Sequence, residues 1–216
     1  MMKVAAVNIG RPRPLEVGGR QSQTGIFKEP VEGAVEVNEL GLAGDAVIDG
    51  RHHGGPDQAV YLYRLEDYEF WGRQLRKEIA PGTFGDNLTV SGLSSPALMV
   101  GDVLRFPDLE LQVTAPRIPC NTLAARMGDK KFPKAFVKAA RPGIYFRVLK
   151  SGTIRAGQTV ELIPFAEDSI STVRFFNDFQ RTLTSDEMQR YLQLPIDIRS
   201  RTYLEGELNK RGVPVT

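Results

Sequence analysis

Cysteine is almost missing from this 216-residue chain, with Cys120 standing alone. No internal disulfide can form, so a reducing, cytoplasmic compartment is expected and the thiol must be explained by packing or by chemistry. Histidine is nearly as scarce, and its two residues, His52 and His53, sit side by side. Tetrahedral zinc sites built from Cys and His pairs are therefore excluded. No apolar run approaches the roughly 18 residues a membrane-spanning helix needs. The opening Met1-Met2-Lys3-Val4-Ala5-Ala6-Val7-Asn8 turns polar too soon for a signal peptide. A glycine fingerprint for a flavin or nicotinamide dinucleotide is also lacking. What remains is 41% hydrophobic and 25% charged, too apolar for disorder and sufficient for a core.

The net charge of +2 hides an uneven distribution. Residues 117–155 carry 10 Lys and Arg against one acid, Asp129, and this block surrounds the only cysteine. Lys130, Lys131, Lys134 and Lys138 have the spacing of a solvated helix edge. Arg117, Arg126, Arg141 and Arg147 are interleaved with apolar and turn residues, as expected of side chains that clamp an anion. Nucleic acid is a poor candidate, because aromatic interleaving among the basic residues is sparse (Phe132, Phe136) and the rest of the chain is acidic.

Short runs rich in Val, Ile, Leu and Tyr at 3–9, 31–37, 59–63, 87–90, 102–106, 109–115, 143–149 and 159–163 predict strands. Apolar spacings of three and four predict a helix over 65–79, and a shorter basic pair follows Cys120 at 121–127 and 132–140. Many short strands with few helices predict a mainly β, α+β architecture: a closed or nearly closed β-barrel over residues 1–164. From 165 to 216 the pattern becomes helical, with pieces at 170–176, 185–194 and 198–209 and a hydroxyl cap at Thr184. So small a tail must have its apolar faces covered. Phe175, Phe176 and Phe179 read either as its internal core or as cover for the barrel mouth or a twofold homodimer interface.

Four stretches concentrate chemistry. Gly41-Leu42-Ala43-Gly44-Asp45 leads into Asp49-Gly50-Arg51-His52-His53-Gly54-Gly55-Pro56-Asp57-Gln58, where glycines open backbone amides to a ligand and either histidine could carry a proton near neutrality. Phe84-Gly85-Asp86-Asn87-Leu88 offers amides in one loop, and Gln23-Thr24-Gly25-Ile26-Phe27-Lys28 offers a hydroxyl and a cation. In Pro116-Arg117-Ile118-Pro119-Cys120-Asn121 the thiol opens a helix beside arginine, which favours the thiolate.

Taken in order, these motifs, with Gly101-Asp102 and Gly143-Tyr145-Arg147-Val148-Leu149, resemble the MOSC domain family, and the helical tail resembles the small three-helix domain of its YiiM-like branch. The family usually has Glu where Asp86 stands. The resemblance implies a β-barrel that binds the molybdenum cofactor, a phosphorylated pterin dithiolene. Cys120 would be both catalytic and the metal ligand, with His53 as a catalytic proton donor. Thr24, Lys28, His53, Asn87, Arg117, Asn121, Arg126 and Arg147 would bind cofactor or substrate. The implied activity is reduction of N-hydroxylated compounds, hydroxylaminopurine base analogues among them, to amines. The substrate is then a small molecule, the electrons come from a separate reductase, and no nucleic acid or membrane is involved. The alternative is a carrier of the cofactor, or of sulfur on Cys120, without turnover.

Overall fold

The computed structural model describes residues 1–50, 53–93, 98–165 and 168–215. Its strands are β1 (Met2–Gly10), β2 (Arg13–Val17), β3 (Arg20–Thr24), β4 (Lys28–Pro30), β5 (Val35–Asn38), β6 (Gly41–Leu42), β7 (Val60–Arg64), β8 (Leu88–Ser91), β9 (Val103–Arg105), β10 (Glu110–Pro116), β11 (Ile144–Lys150), β12 (Gly152–Ile154) and β13 (Thr159–Ile163). The helices are α1 (Leu65–Leu75), α2 (Asn121–Met127), α3 (Phe132–Ala139), α4 (Thr172–Asp178), α5 (Ser185–Leu192) and α6 (Ile198–Lys210). The main sheet runs β13-β9-β10-β11-β7-β8-β1, and β1 pairs back onto β13, closing a seven-stranded barrel. All its pairings are antiparallel except β7 with β8. Closure removes the exposed edges that open sheets must otherwise protect. Among the described residues, no helix is long and apolar enough to cross a membrane.

The period of two along the strands sorts side chains into two cores. Val60 and Leu62 of β7, with Ile144 and Phe146 of β11, fill the barrel interior. The intervening Tyr61, Tyr63 and Tyr145 point the other way, into a layer shared with Trp71 of α1, Phe136 of α3 and Phe176 of α4. Every residue of β7 is buried because both its faces are covered.

Several expected boundaries shift for local reasons. The run at 31–37 is interrupted by Gly33 at φ 83°, so β5 begins only at Val35. The helix expected to reach residue 79 ends at Leu75, where Arg76 turns left-handed at φ 52°, although Ile79 is still buried. The β2–β3 hairpin is largely exposed and polar, and its one short alternation, Leu15 and Val17 about Glu16, is too brief to announce it.

The tail does not stand apart from the barrel. Phe175, Phe176, Tyr191, Leu204 and Leu208 belong to the same buried cluster as Tyr63, Trp71 and Phe84, and the Phe136 and Phe176 rings lie 6.4 Å apart. Thr184 caps α5 as expected, its hydroxyl accepting from the Glu187 amide while the Glu187 carboxylate accepts from the Thr184 amide. Arg199 of α6 donates to the carbonyls of Gly54 (3.0 Å), Gly50 (3.1 Å) and His53 (3.3 Å), fixing the loop that carries the histidine. We expect Phe176→Ala to cost about 3–5 kcal/mol, the usual range for emptying a buried aromatic site, with barrel and tail lost in a single denaturant transition. Two separated transitions, only one of them moved, would contradict a shared core.

Candidate active site

β10 ends at Pro116 and hands the chain to a short loop that returns at Cys120, the residue preceding α2. The Arg117 amide donates to the Gly143 carbonyl at 2.8 Å, holding the start of this loop against the approach to β11. Cys120 lies at one wall of a cavity of about 150 Å³ lined also by Thr24, Lys28, Asp45, His53 and Arg117. The opposite wall depends on a close approach: a Cβ on Gly25 would stand 1.8 Å from the Ala46 carbonyl oxygen, so only glycine lets the Thr24–Ile26 turn reach the segment after Asp45. Gly54, at φ 69°, holds a backbone conformation that side chains disfavour, directly after His53.

Arg117 is 5% exposed. Its guanidinium donates to the Ile118 carbonyl at 2.5 Å and to the Cys120 sulfur at 3.6 Å, and lies 5.5 Å from the Tyr61 ring centre. Among the described residues no carboxylate pairs with it. Burial pushes the Cys120 thiol up, but the hydrogen bond with His53, the Arg117 charge and the Leu123 amide outweigh it and bring the thiol down to about 5. The site therefore holds a thiolate at neutral pH, with Arg117 as its counter-charge. His53 also faces the Tyr145 hydroxyl through Nδ1 at 3.3 Å.

Lys28 is buried and paired with Asp45, which also accepts from the Gly10 amide (2.8 Å) and the Asn87 side-chain amide (2.9 Å). Burial pulls the lysine below its ordinary value, against the raising effect of Asp45. This acid already neutralises the expected anion-holding lysine. Thr24 keeps its hydroxyl hydrogen available, since its oxygen accepts from the Ile26 amide at 3.1 Å. Of the residues read as site residues, Thr24, Lys28, His53, Asn87, Arg117 and Cys120 come together around the cavity.

Asn121, Arg126 and Arg147 are not among its lining residues. Asn121 is exposed on the first turn of α2. Arg126, one and a half turns further along α2, stacks 4.5 Å from the Phe27 ring centre. Arg147 is held by Asp57 (2.9 Å) and the Ile196 carbonyl (3.1 Å), a tie between barrel and tail. His52 lies outside the described residues. Asp45, Tyr61 and Tyr145 also line the cavity; Asp45 and Tyr145 stood in the quoted motifs without a site role, and Tyr61 was not named. The tyrosines had a legible signal, since they alternate with the aliphatic residues of β7 and β11 and so share the outer face.

We expect the ultraviolet thiolate absorbance of Cys120 to titrate with a midpoint of about 5. Because this acid is depressed by folding, its stabilising charge is fully present above the ordinary thiol value and is lost as the pH falls through 5. His53→Ala and Arg117→Met should each raise the midpoint toward that ordinary value; a wild-type midpoint of 8 or above, near the unperturbed thiol, would contradict the reading.

Comparison with known proteins follows the same lines. The MOSC domain model matches residues 49–161. The uncharacterized protein YflK of Bacillus subtilis is 39% identical over 174 residues, 81% of this chain and 78% of YflK. A Gibberella moniliformis protein named Reductase is 30% identical over 178 residues, which is 78% of this chain but 31% of the fungal protein. The crystal structure of YiiM from Geobacillus stearothermophilus superposes with a TM-score of 0.80 at 25% identity, covering 96% of this chain and 100% of that one. MOSC domains as a family are associated with molybdenum cofactor binding. The barrel, the ordered motifs and these matches together make this chain a member of the MOSC domain family.

Proposed function

We propose that the protein is a molybdenum-cofactor-dependent oxidoreductase that reduces N-hydroxylated compounds to amines. The observation that carries this reading is the Cys120 thiolate held between Arg117 and His53 on a cavity wall. A thiolate is a soft ligand suited to such a metal. Among the described residues no group of three or more His, Cys, Asp or Glu could hold a metal ion. Cys120 would be the ligand from this chain, which fits a metal whose other sulfur donors belong to the pterin. Arg117 and the Thr24 hydroxyl are the donors on hand for the anionic cofactor, whereas the charge of Lys28 is already met by Asp45. When bound, the cofactor supplies the two-electron chemistry.

The reaction takes two electrons and two protons: the N–O bond breaks, the nitrogen is reduced to the amine, and the oxygen leaves as water. His53, hydrogen-bonded to Cys120 and facing the Tyr145 hydroxyl, would pass a proton to the departing oxygen. Electrons would come from a separate reductase, since this chain has no dinucleotide fingerprint. The name of the fungal relative agrees with reductive chemistry.

The test is metal and pterin analysis, with hydroxylaminopurine reduction, on protein made in a host that synthesises the cofactor. Cys120→Ala should fall below about a tenth of wild-type molybdenum and lose turnover while its circular dichroism is unchanged. Full molybdenum content in that variant would overturn the proposal, and a persulfide on Cys120 with no retained metal would favour a sulfur carrier instead.

A further inference from the structure

Beside the thiol cavity lies a second hollow of about 180 Å³ that shares His53, Gln58, Arg117 and Tyr145 with it and adds Phe175, Phe179 and Asp197 from the tail. Asp197 is 1% exposed. Its Oδ1 accepts from the Arg199 amide (3.2 Å), the Ser200 amide (3.3 Å) and the Gln58 side-chain amide (3.5 Å), capping α6. Among the described residues its buried Oδ2 has no hydrogen-bond partner, and neither has the buried Oε1 of Gln58, a residue that also lines this hollow. Two acceptors on contacting side chains thus lack a donor, a costly state for a folded protein unless something supplies one. Among the described residues, the two guanidinium groups that line the hollow do not. Arg199 donates to the carbonyls of Gly50, His53 and Gly54, and Arg117 to Ile118 and Cys120.

We propose that this hollow is the substrate's ring pocket. Phe175 and Phe179 cover a planar nitrogen heterocycle, whose ring N–H is accepted by Asp197 Oδ2 and Gln58 Oε1, while its N-hydroxylated edge turns toward Cys120. The direction of that edge rests on the function proposed above; the recognition of the ring does not. A site built to accept a hydrogen bond rejects analogues lacking the donor, because its buried acceptors then stay unpaired. The tail therefore supplies selectivity to chemistry housed in the barrel.

The probe pair is benzimidazole, planar with one ring N–H, and 1-methylbenzimidazole, which has none. Calorimetry at pH 8 on the full chain should give wild-type binding roughly 10-fold or more in favour of benzimidazole, a modest discrimination for one hydrogen bond. Asp197→Asn keeps the cap through its oxygen and turns an amide donor into the hollow, so the preference should vanish without a change in melting temperature. Gln58→Met should weaken it in the same direction, and it decides the matter if the first variant fails to fold. The probes are read on protein free of cofactor, so failure of the molybdenum chemistry would be told apart from failure of the ring pocket. Equal binding of the two probes by wild type, or a preference untouched in both Asp197→Asn and Gln58→Met, would overturn the proposal.

Discussion

The buried guanidinium of Arg117 is the group on which the site depends. A cation this far from water needs a counter-charge, and among the described residues no carboxylate supplies it; the Cys120 sulfur, 3.6 Å away, does. The pairing works in both directions. Arg117 helps to hold the thiol ionised near neutrality, and Tyr145 and the thiolate together offset the burial of the guanidinium. The Tyr61 ring beneath the guanidinium and the Ile118 carbonyl at its edge fix its orientation. The sulfur is thus ionised and held in place by the fold itself.

The barrel serves this pair through its alternation. Aliphatic residues of β7 and β11 turn inward and make a closed support, while Tyr61 and Tyr145 turn outward, where the loop from β10 meets them. The helical tail then encloses that outer face. Arg199 holds the His53 loop through three carbonyls, and Arg147 and the Ile198 amide meet on Asp57, so barrel and tail are joined beside the thiol. Such an arrangement makes the tail part of the site's geometry rather than an attachment to it.

Much of this was legible in the sequence because strong local signals and one rare residue coincided. Apolar runs marked most barrel strands, Thr184 marked a helix start, and Cys120, after two prolines and beside arginine, marked a thiol that lines the cavity. The hairpin β2–β3 was not legible because it is mostly polar and solvated, with only Leu15 and Val17 alternating. Arg126 and Arg147 read as anion clamps by charge alone. One instead rests on Phe27, and the other on Asp57, a partner 90 positions earlier in the chain. Lys28 illustrates the same limit, since its neutralisation by Asp45 requires knowing that strands remote in sequence bring the two together. Charge is visible in a sequence, whereas its compensation is a property of the fold.

The most direct test of the Arg117–Cys120 pairing is a double-mutant cycle on folding stability at pH 8, using Arg117→Met, Cys120→Ala and both together. If each side chain is the other's counter-charge, removing one strands the other, and the double variant should be more stable than the sum of single effects predicts, by about 1–3 kcal/mol. Single effects that simply add, within about 0.5 kcal/mol, would mean that the two groups are neighbours without being partners, and the account of the ionised thiol would fail.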